Sequence, residues 1–130
     1  MADQNYGYPL PLKITGMGHC LPKQVVQSSE LEQQCNLPQG WCQRKQGIKE
    51  RRWFSPDEYK TVSHAKIGAA AARQAVAAAR IACSELDLVL HASSMYDQVI
   101  PDQSVQLLHE LGLGDSGISC LSINCACLSF

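Results

Sequence analysis

The chain has 130 residues, one ordinary domain's length, with 45% hydrophobic and 18% charged residues, a composition that excludes a disordered chain. Its formal net charge is -1, so no global positive field recommends nucleic acid as a partner. No apolar run approaches the roughly 20 residues of a membrane span, and the opening "MADQNYGYPLPLK" lacks an apolar stretch of signal-peptide length, so a cytoplasmic protein without a membrane partner is expected.

Residues 1–11, with Gly7, Pro9 and Pro11, read as an irregular arm, and residues 12–130 as one domain. Leu12 to Gly18 has a β-branched centre and closing glycines, which predicts a first strand and a turn. "SSELEQQC" carries Ser29 and, three residues on, Glu32, the spacing of a capping box, so a short helix is expected to end near Pro38 and Gly40. A second short helix runs from about Trp41 to Gly47. From about Val62 to Ile81 alanine dominates, which predicts the strongest helix, with side chains small enough to let it lie close to a neighbour. Leu86 to Ser94 is a continuous apolar run, the pattern of a parallel strand buried on both faces. Asp102 after Pro101 opens a helix that closes at Gly112, with Leu107, Leu108 and Leu111 as its apolar stripe. Ile118 to Asn124 reads as the last strand. Strands alternating with helices predict an α/β fold with a parallel sheet. Ligands bind such sheets beyond the carboxyl ends of the strands, where Cys127 lies.

The seven cysteines are Cys20, Cys35, Cys42, Cys83, Cys120, Cys125 and Cys127. Their odd number, the missing CxxC pair and the absence of a secretion signal argue against a disulfide framework. Cys125 and Cys127 share a face if the chain is extended there, yet no second pair completes a zinc site, so no metal is expected. Cys20, Cys35, Cys83 and Cys120 read as small buried hydrophobes. His19, His64, His91 and His109 read as structural or solvated.

A thiol attacks as thiolate, and a helix N-terminus stabilises that anion while its N–H groups can hold an oxyanion. "N-C-A-C-L-S" has the small residues that a sharp turn from strand into helix requires. Alone, it leaves a structural cysteine and a nucleophile both open. "QRKQGIKERRW" places Arg44, Lys45, Lys49, Arg51 and Arg52 around Glu50. That is a solvated charged face or a phosphate contact, and Trp41 beside it could stack a purine. Ile100 is either a locally packed loop residue or a binding residue.

Five stretches in order carry a resemblance. They are "ITGMGHCLPKQVV", "GWCQRKQGIKERRW", "TVSHAKIGAAAARQAVAAA", the pair "LDLVLHASS" and "IPDQSVQLLHELGL", and the closing Ile123, Asn124, Cys125, Ala126, Cys127, Leu128, Ser129, Phe130. Together, from about Leu12 to Phe130, they resemble the ketoacyl-ACP synthase III branch of the thiolase superfamily. The resemblance implies a thiolase-like αβαβα layered fold made of two similar halves, this chain being the N-terminal portion of the first half. It implies that Cys127 is the nucleophile and Cys125 a packing residue on a small-residue position. It implies acyl transfer from coenzyme A or acyl carrier protein, then decarboxylative condensation with a malonyl thioester. No permanently bound cofactor is implied; coenzyme A or phosphopantetheine thioesters are substrates. The segment's Trp, Trp41, would stack the adenine, with Arg44 and Lys45 near the phosphates, although the family has Arg where this chain has Lys45. Ile100 matches a residue of the acyl pocket in a homodimer. A histidine and an asparagine from the second half would complete the site, in a remainder that is a separate or missing chain. The chain alone is expected to be inactive, with an uncovered edge or face at its last strand. Acyl transfer to oxygen or nitrogen stays open, as does an inactive fragment or subunit of a split or nicked enzyme.

Overall fold

A computed structural model describes residues 11–129; the expected arm, apart from Pro11, and Phe130 lie outside the described residues. In chain order the elements are β1 (Gln24–Gln27), α1 (Ser28–Gln34), α2 (Trp41–Gln46), β2 (Glu50–Trp53), α3 (Pro56–Tyr59), α4 (His64–Ala79), β3 (Leu88–Ala92), α5 (Gln103–Glu110) and β4 (Ser119–Ile123). Single 3-10 turns lie at Cys83–Glu85 and Ala126–Leu128. The parallel α/β organisation holds for β3 and β4, which pair in parallel with Leu90 opposite Leu121 and Ala92 opposite Ile123. β1 and β2 were not expected; they pair antiparallel, Gln24 opposite Trp53 and Gln27 opposite Glu50.

The alanines of α4 do what their size suggests. Ala69 is fully buried in a cluster with Val89, Leu107, Leu108 and Leu111, which packs α4 and α5 onto one face of the parallel pair. At Gly68 an added Cβ would come within 3.0 Å of Leu107 Cδ1. Arg73 adds a polar tie, its guanidinium donating to the Glu110 carbonyl of α5. Ser63 caps α4, its hydroxyl accepting from Lys66 N–H at 3.1 Å.

Four expectations need correction. The Leu12–Gly18 segment joins no ladder; it runs against α4, with Leu12, Ile14 and Met17 exposed. Its glycines are needed for that approach, because a Cβ on Gly16 would collide with the Ala75 carbonyl and lie 2.7 Å from Ala79 N, and one on Gly18 would meet Ala71 and Ala75 in the same way. Ser29 and Glu32 form no capping box: Gln27 is the N-cap, and its N–H donates to Glu30 Oε1 at 3.2 Å. Glu32 is buried instead, accepting from Gly40 N–H at 2.7 Å and Cys42 N–H at 2.8 Å. The parallel pair is covered on one face only. Val89 is 8% exposed, while Leu90 on the opposite face is 55% exposed and Leu88, Leu121 and Ile123 share its open side, so an uncovered face was rightly expected of β4. Finally, Cys42 is the buried thiol; Cys20, Cys83 and Cys120 are half-buried, and Cys35 is exposed.

Candidate active site

β3 and β4 run side by side, so their carboxyl ends open on the same side and deliver two loops to one place. The loop after β3 carries Tyr96, Asp97 and Ile100; the turn after β4 carries Asn124 to Ser129. The two are tied together, because Asn124 Nδ2 donates to the Tyr96 hydroxyl.

Cys127 sits in the middle of the 3-10 turn Ala126–Leu128 and is exposed. Cys125 lies after β4 rather than in it, and is also exposed, which corrects its expected role as a strand packing residue. Ala126 adopts a left-handed φ of 50°, a conformation that costs a residue with a Cβ on the order of 1 kcal/mol or more. Ser129 holds this turn closed. Its hydroxyl accepts from Cys125 N–H at 2.8 Å and donates to the Ala126 carbonyl at 2.9 Å. Ala126 N–H donates to Asn124 Oδ1 at 3.3 Å and Leu128 N–H to the Cys125 carbonyl at 3.0 Å. Among the described residues the Cys127 N–H donates to no acceptor. A thiol and its own unengaged N–H on a strained, stapled turn are the two groups that thioester attack asks for: a nucleophile and an oxyanion donor.

Ile100 stands on the loop after β3, 85% exposed, beside Val99 at 82%. Asp97, at the base of the same loop, caps α4: Oδ1 accepts from His64 N–H at 2.9 Å and Oδ2 from Ala65 N–H at 3.1 Å. Its Oδ1 also meets His64 Nδ1 at 2.9 Å. Desolvation pushes the Asp97 carboxyl up, but the N–H of His64, the Gln103 amide, the N–H of Ala65 and the His64 ring together hold it well below the usual carboxylate range. A cavity of about 320 Å³ opens here, where Phe54, Tyr59, Ile67 and Met95 meet His64 and Asp97. His91 lies on β3 with its Nδ1 buried and unpartnered; burial favours its neutral form, against the pull of Asp102 and Asp97.

Trp41, Arg44 and Lys45 lie elsewhere, on α2. Among the described residues no hydrogen bond joins residues 24–53 to residues 64–129. Arg44 is folded back onto its own unit, Nη1 donating to the Gln39 carbonyl at 2.8 Å, and Arg51 donates to Gln46 Oε1 at 2.8 Å. The Lys45 side chain makes no hydrogen bond or ion pair among the described residues. The geometry thus brings Cys127 and Ile100 to one end of the sheet and leaves the three α2 residues in the antiparallel unit. Tyr96, Asp97, Gln103 and Ser129 were missed from sequence. The available signal was an Asp-Gln pair on each side of Ile100–Pro101, which does not reveal which Asp meets which Gln. Among the described residues no group of three His, Cys, Asp or Glu is placed to hold a metal ion, and no helix is long and apolar enough to cross a membrane.

No family model matches the chain. It is 39% identical over 113 residues to a 3-oxopimeloyl-[acyl-carrier-protein] synthase of Brucella abortus, covering 87% of this chain and 33% of that protein. It is 32% identical over 117 residues to a beta-ketoacyl-[acyl-carrier-protein] synthase III of Deinococcus radiodurans, covering 90% and 33%. Among solved structures it matches the 3-oxoacyl-[acyl-carrier-protein] synthase III of Aquifex aeolicus with a TM-score of 0.79 at 28% identity, over 91% of this chain and 36% of the other. It also matches the priming beta-ketosynthase of the R1128 polyketide pathway with a TM-score of 0.70 at 30% identity, over 85% and 32%. The chain spans about a third of the length of the curated relatives it matches. Over its own length, the chain is thus similar in sequence and in fold to about one third of the length of proteins of the ketoacyl-ACP synthase III-like branch of the thiolase superfamily.

Proposed function

We propose that the enzyme containing this chain is a β-ketoacyl-ACP synthase of type III. Cys127 attacks the thioester carbonyl of an acyl-CoA or acyl-ACP, a new C–S bond forms, and the donor's thiol leaves. A malonyl thioester then loses carbon dioxide, and the resulting carbanion attacks the Cys127 thioester. The new C–C bond forms as the cysteine C–S bond breaks, which returns the thiolate. The observation that carries this reading is the turn at the carboxyl end of β4: an exposed Cys127 whose own N–H has no acceptor among the described residues. That N–H serves as one donor to the oxyanion. The thiolase-like fold and the relatives' names support the reading.

Coenzyme A and phosphopantetheine thioesters are the substrates. Trp41 stacks the adenine and Lys45 meets phosphate, with Arg44 joining once it releases the Gln39 carbonyl. Ile100 lines the acyl pocket across a homodimer, and the enzyme works in the cytoplasm with acyl carrier protein as partner. Residues of the remaining two thirds supply acid–base groups, so this chain alone is inactive. Incubation of the complete enzyme with a labelled acyl-CoA or acyl-ACP, followed by peptide mass mapping, tests the assignment. Label on Cys127 is expected; label on Cys125, or none, overturns it.

A further inference from the structure

The loop after β3 is closed by a ring that the reaction itself does not use. Asp97 N–H donates to Gln103 Oε1 at 2.8 Å, and Gln103 Nε2 donates back to Asp97 Oδ2 at 2.9 Å. Gln103 is 0% exposed. Burying an amide is costly unless its groups are paired, and here both ends of the side chain are engaged with the same residue. Asp97 is itself fixed by its cap on α4, and its neighbour Tyr96 by Asn124 of the nucleophile turn. On the far side, Gln98 Nε2 donates to the Ile100 carbonyl at 3.1 Å and Gln106 Nε2 to the Pro101 carbonyl at 3.0 Å.

The tip of this loop is the opposite of its base. Val99 and Ile100 are more than four-fifths exposed, so burial of their own side chains does not hold them. Their position is set from below, by the buried Gln103 amide bonded twice to the N–H and the carboxylate of Asp97.

We propose that Asp97 and Gln103 are positioning residues for acyl-chain selection: their ring holds Val99 and Ile100 at a fixed place on the loop after β3, from which, across the homodimer, they meet the hydrocarbon chain of the donor thioester bound by the partner subunit. The inference rests on the acyl-transfer reading above. The ring acts through the loop tip, so its loss changes which chain lengths are accepted more than it changes the attack by Cys127. Asp97 is the better placed of the two, because one carboxylate joins the α4 N-terminus, the loop base and the α5 start.

The test uses the complete enzyme and a series of straight-chain acyl-CoA donors. Asp97→Asn and Gln103→Leu are each expected to flatten the kcat/KM profile across chain length by about tenfold, the scale of one lost charge-assisted hydrogen bond. Acylation of Cys127 by the shortest donor is retained. The double variant D97N/Q103E exchanges donor and acceptor between the two side chains but turns an amide NH2 toward the Ala65 N–H, so partial recovery of the lost discrimination is expected. If Gln103→Leu fails to fold, Gln103→Asn replaces it, with the same flattening expected. A uniform loss with every donor, an unchanged profile, or a double variant that folds without any rescue overturns the proposal. Absence of Cys127 acylation in the unaltered enzyme sinks the acyl-transfer reading instead, and is seen before any variant is made.

Discussion

The β1–β2 unit and the β3–β4 unit hold their strands by different means. In the first, three of the eight paired residues are Gln or Glu, two are Arg, and each of these five is exposed or half-exposed. Its order comes from polar closure: Ser28 Oγ donates to the Ile48 carbonyl at 2.7 Å, and Glu32 gathers the N–H groups of Gly40 and Cys42. Val26 and Cys42 are its two buried apolar residues. In the second, the paired residues are mostly apolar, one face is packed under α4 and α5, and the other face is open. Antiparallel neighbours close through short local bonds, whereas a parallel pair needs a crossover helix to lie on it. That crossover is what delivers two loops to the same end of the sheet, and it places the candidate nucleophile in the second unit.

The sharpest way to break this division is chemical. Cys127→Ser in the complete enzyme is expected to lower turnover on the order of a thousandfold or more and to abolish the acyl-enzyme mass shift. Cys125→Ser should leave the mass shift in place, and its loss there would move the chemistry off Cys127. The second expected effect is on stability. Leu107→Ala removes a packed side chain from the α4–α5–sheet core and should cost about 3 kcal/mol. Val26→Ala, in the unit with the smaller apolar interior, should cost about 2 kcal/mol. Denaturant unfolding of both variants checks the order; equal or reversed costs would show that the first unit also depends on apolar packing.

Acid separates the units less strongly, because each contains a carboxyl depressed by its hydrogen bonds. Backbone N–H donation from Cys42 and Gly40 lowers the Glu32 pKa from its ordinary 4.5. The bonds to His64, Gln103 and Ala65 lower that of Asp97 from 3.8, against its desolvation. A carboxyl depressed by folding stabilises the fold fully above its unfolded pKa and loses that contribution as pH falls through the folded value. Melting temperature should therefore fall as pH drops below about 4. Glu32→Gln and Asp97→Asn should each flatten that slope, and a slope unchanged in both variants would remove these carboxyls as its source. The smallest effect concerns donor binding. Lys45→Ala should raise KM for an acyl-CoA about threefold, and more at low salt than at high salt. Arg44→Ala should raise it less, since Arg44 is occupied by Gln39. A larger effect at Arg44 would mean that the Gln39 bond opens when substrate binds.

Periodicity and caps were legible where the signal is local. The Ala-rich helix, the Asp102 cap with its N–H bond from Val105 at 3.2 Å, and the closing glycines Gly47 and Gly112 at positive φ lie where the sequence put them, whereas α1 ends already at Gln34 and Gly40 is the N-cap of α2. The Leu12–Gly18 segment was not, because β-branched residues encode extended backbone without naming a partner, and its glycines answer to the backbone of α4. Glu32 was misread for a similar reason: a carboxylate three residues after a serine satisfies the capping-box spacing, but two N–H groups beyond the helix offered it a buried place. Cysteine burial was equally hidden, since a thiol packs readily inside and sits readily outside.

By itself the sequence determined the α/β class, the long alanine helix, the parallel pairing and the position of Cys127 just past the last strand, since each depends on residues close in the chain. Only the tertiary structure decided which face of the parallel pair is covered, that Ala126 and Ser129 shape the nucleophile turn, and that Asp97 and Gln103 close a ring beneath Ile100. The physical reason is one of range. Propensity and capping act within a turn or two, whereas a buried amide or carboxylate takes its partner from whatever the folded backbone brings within 3 Å.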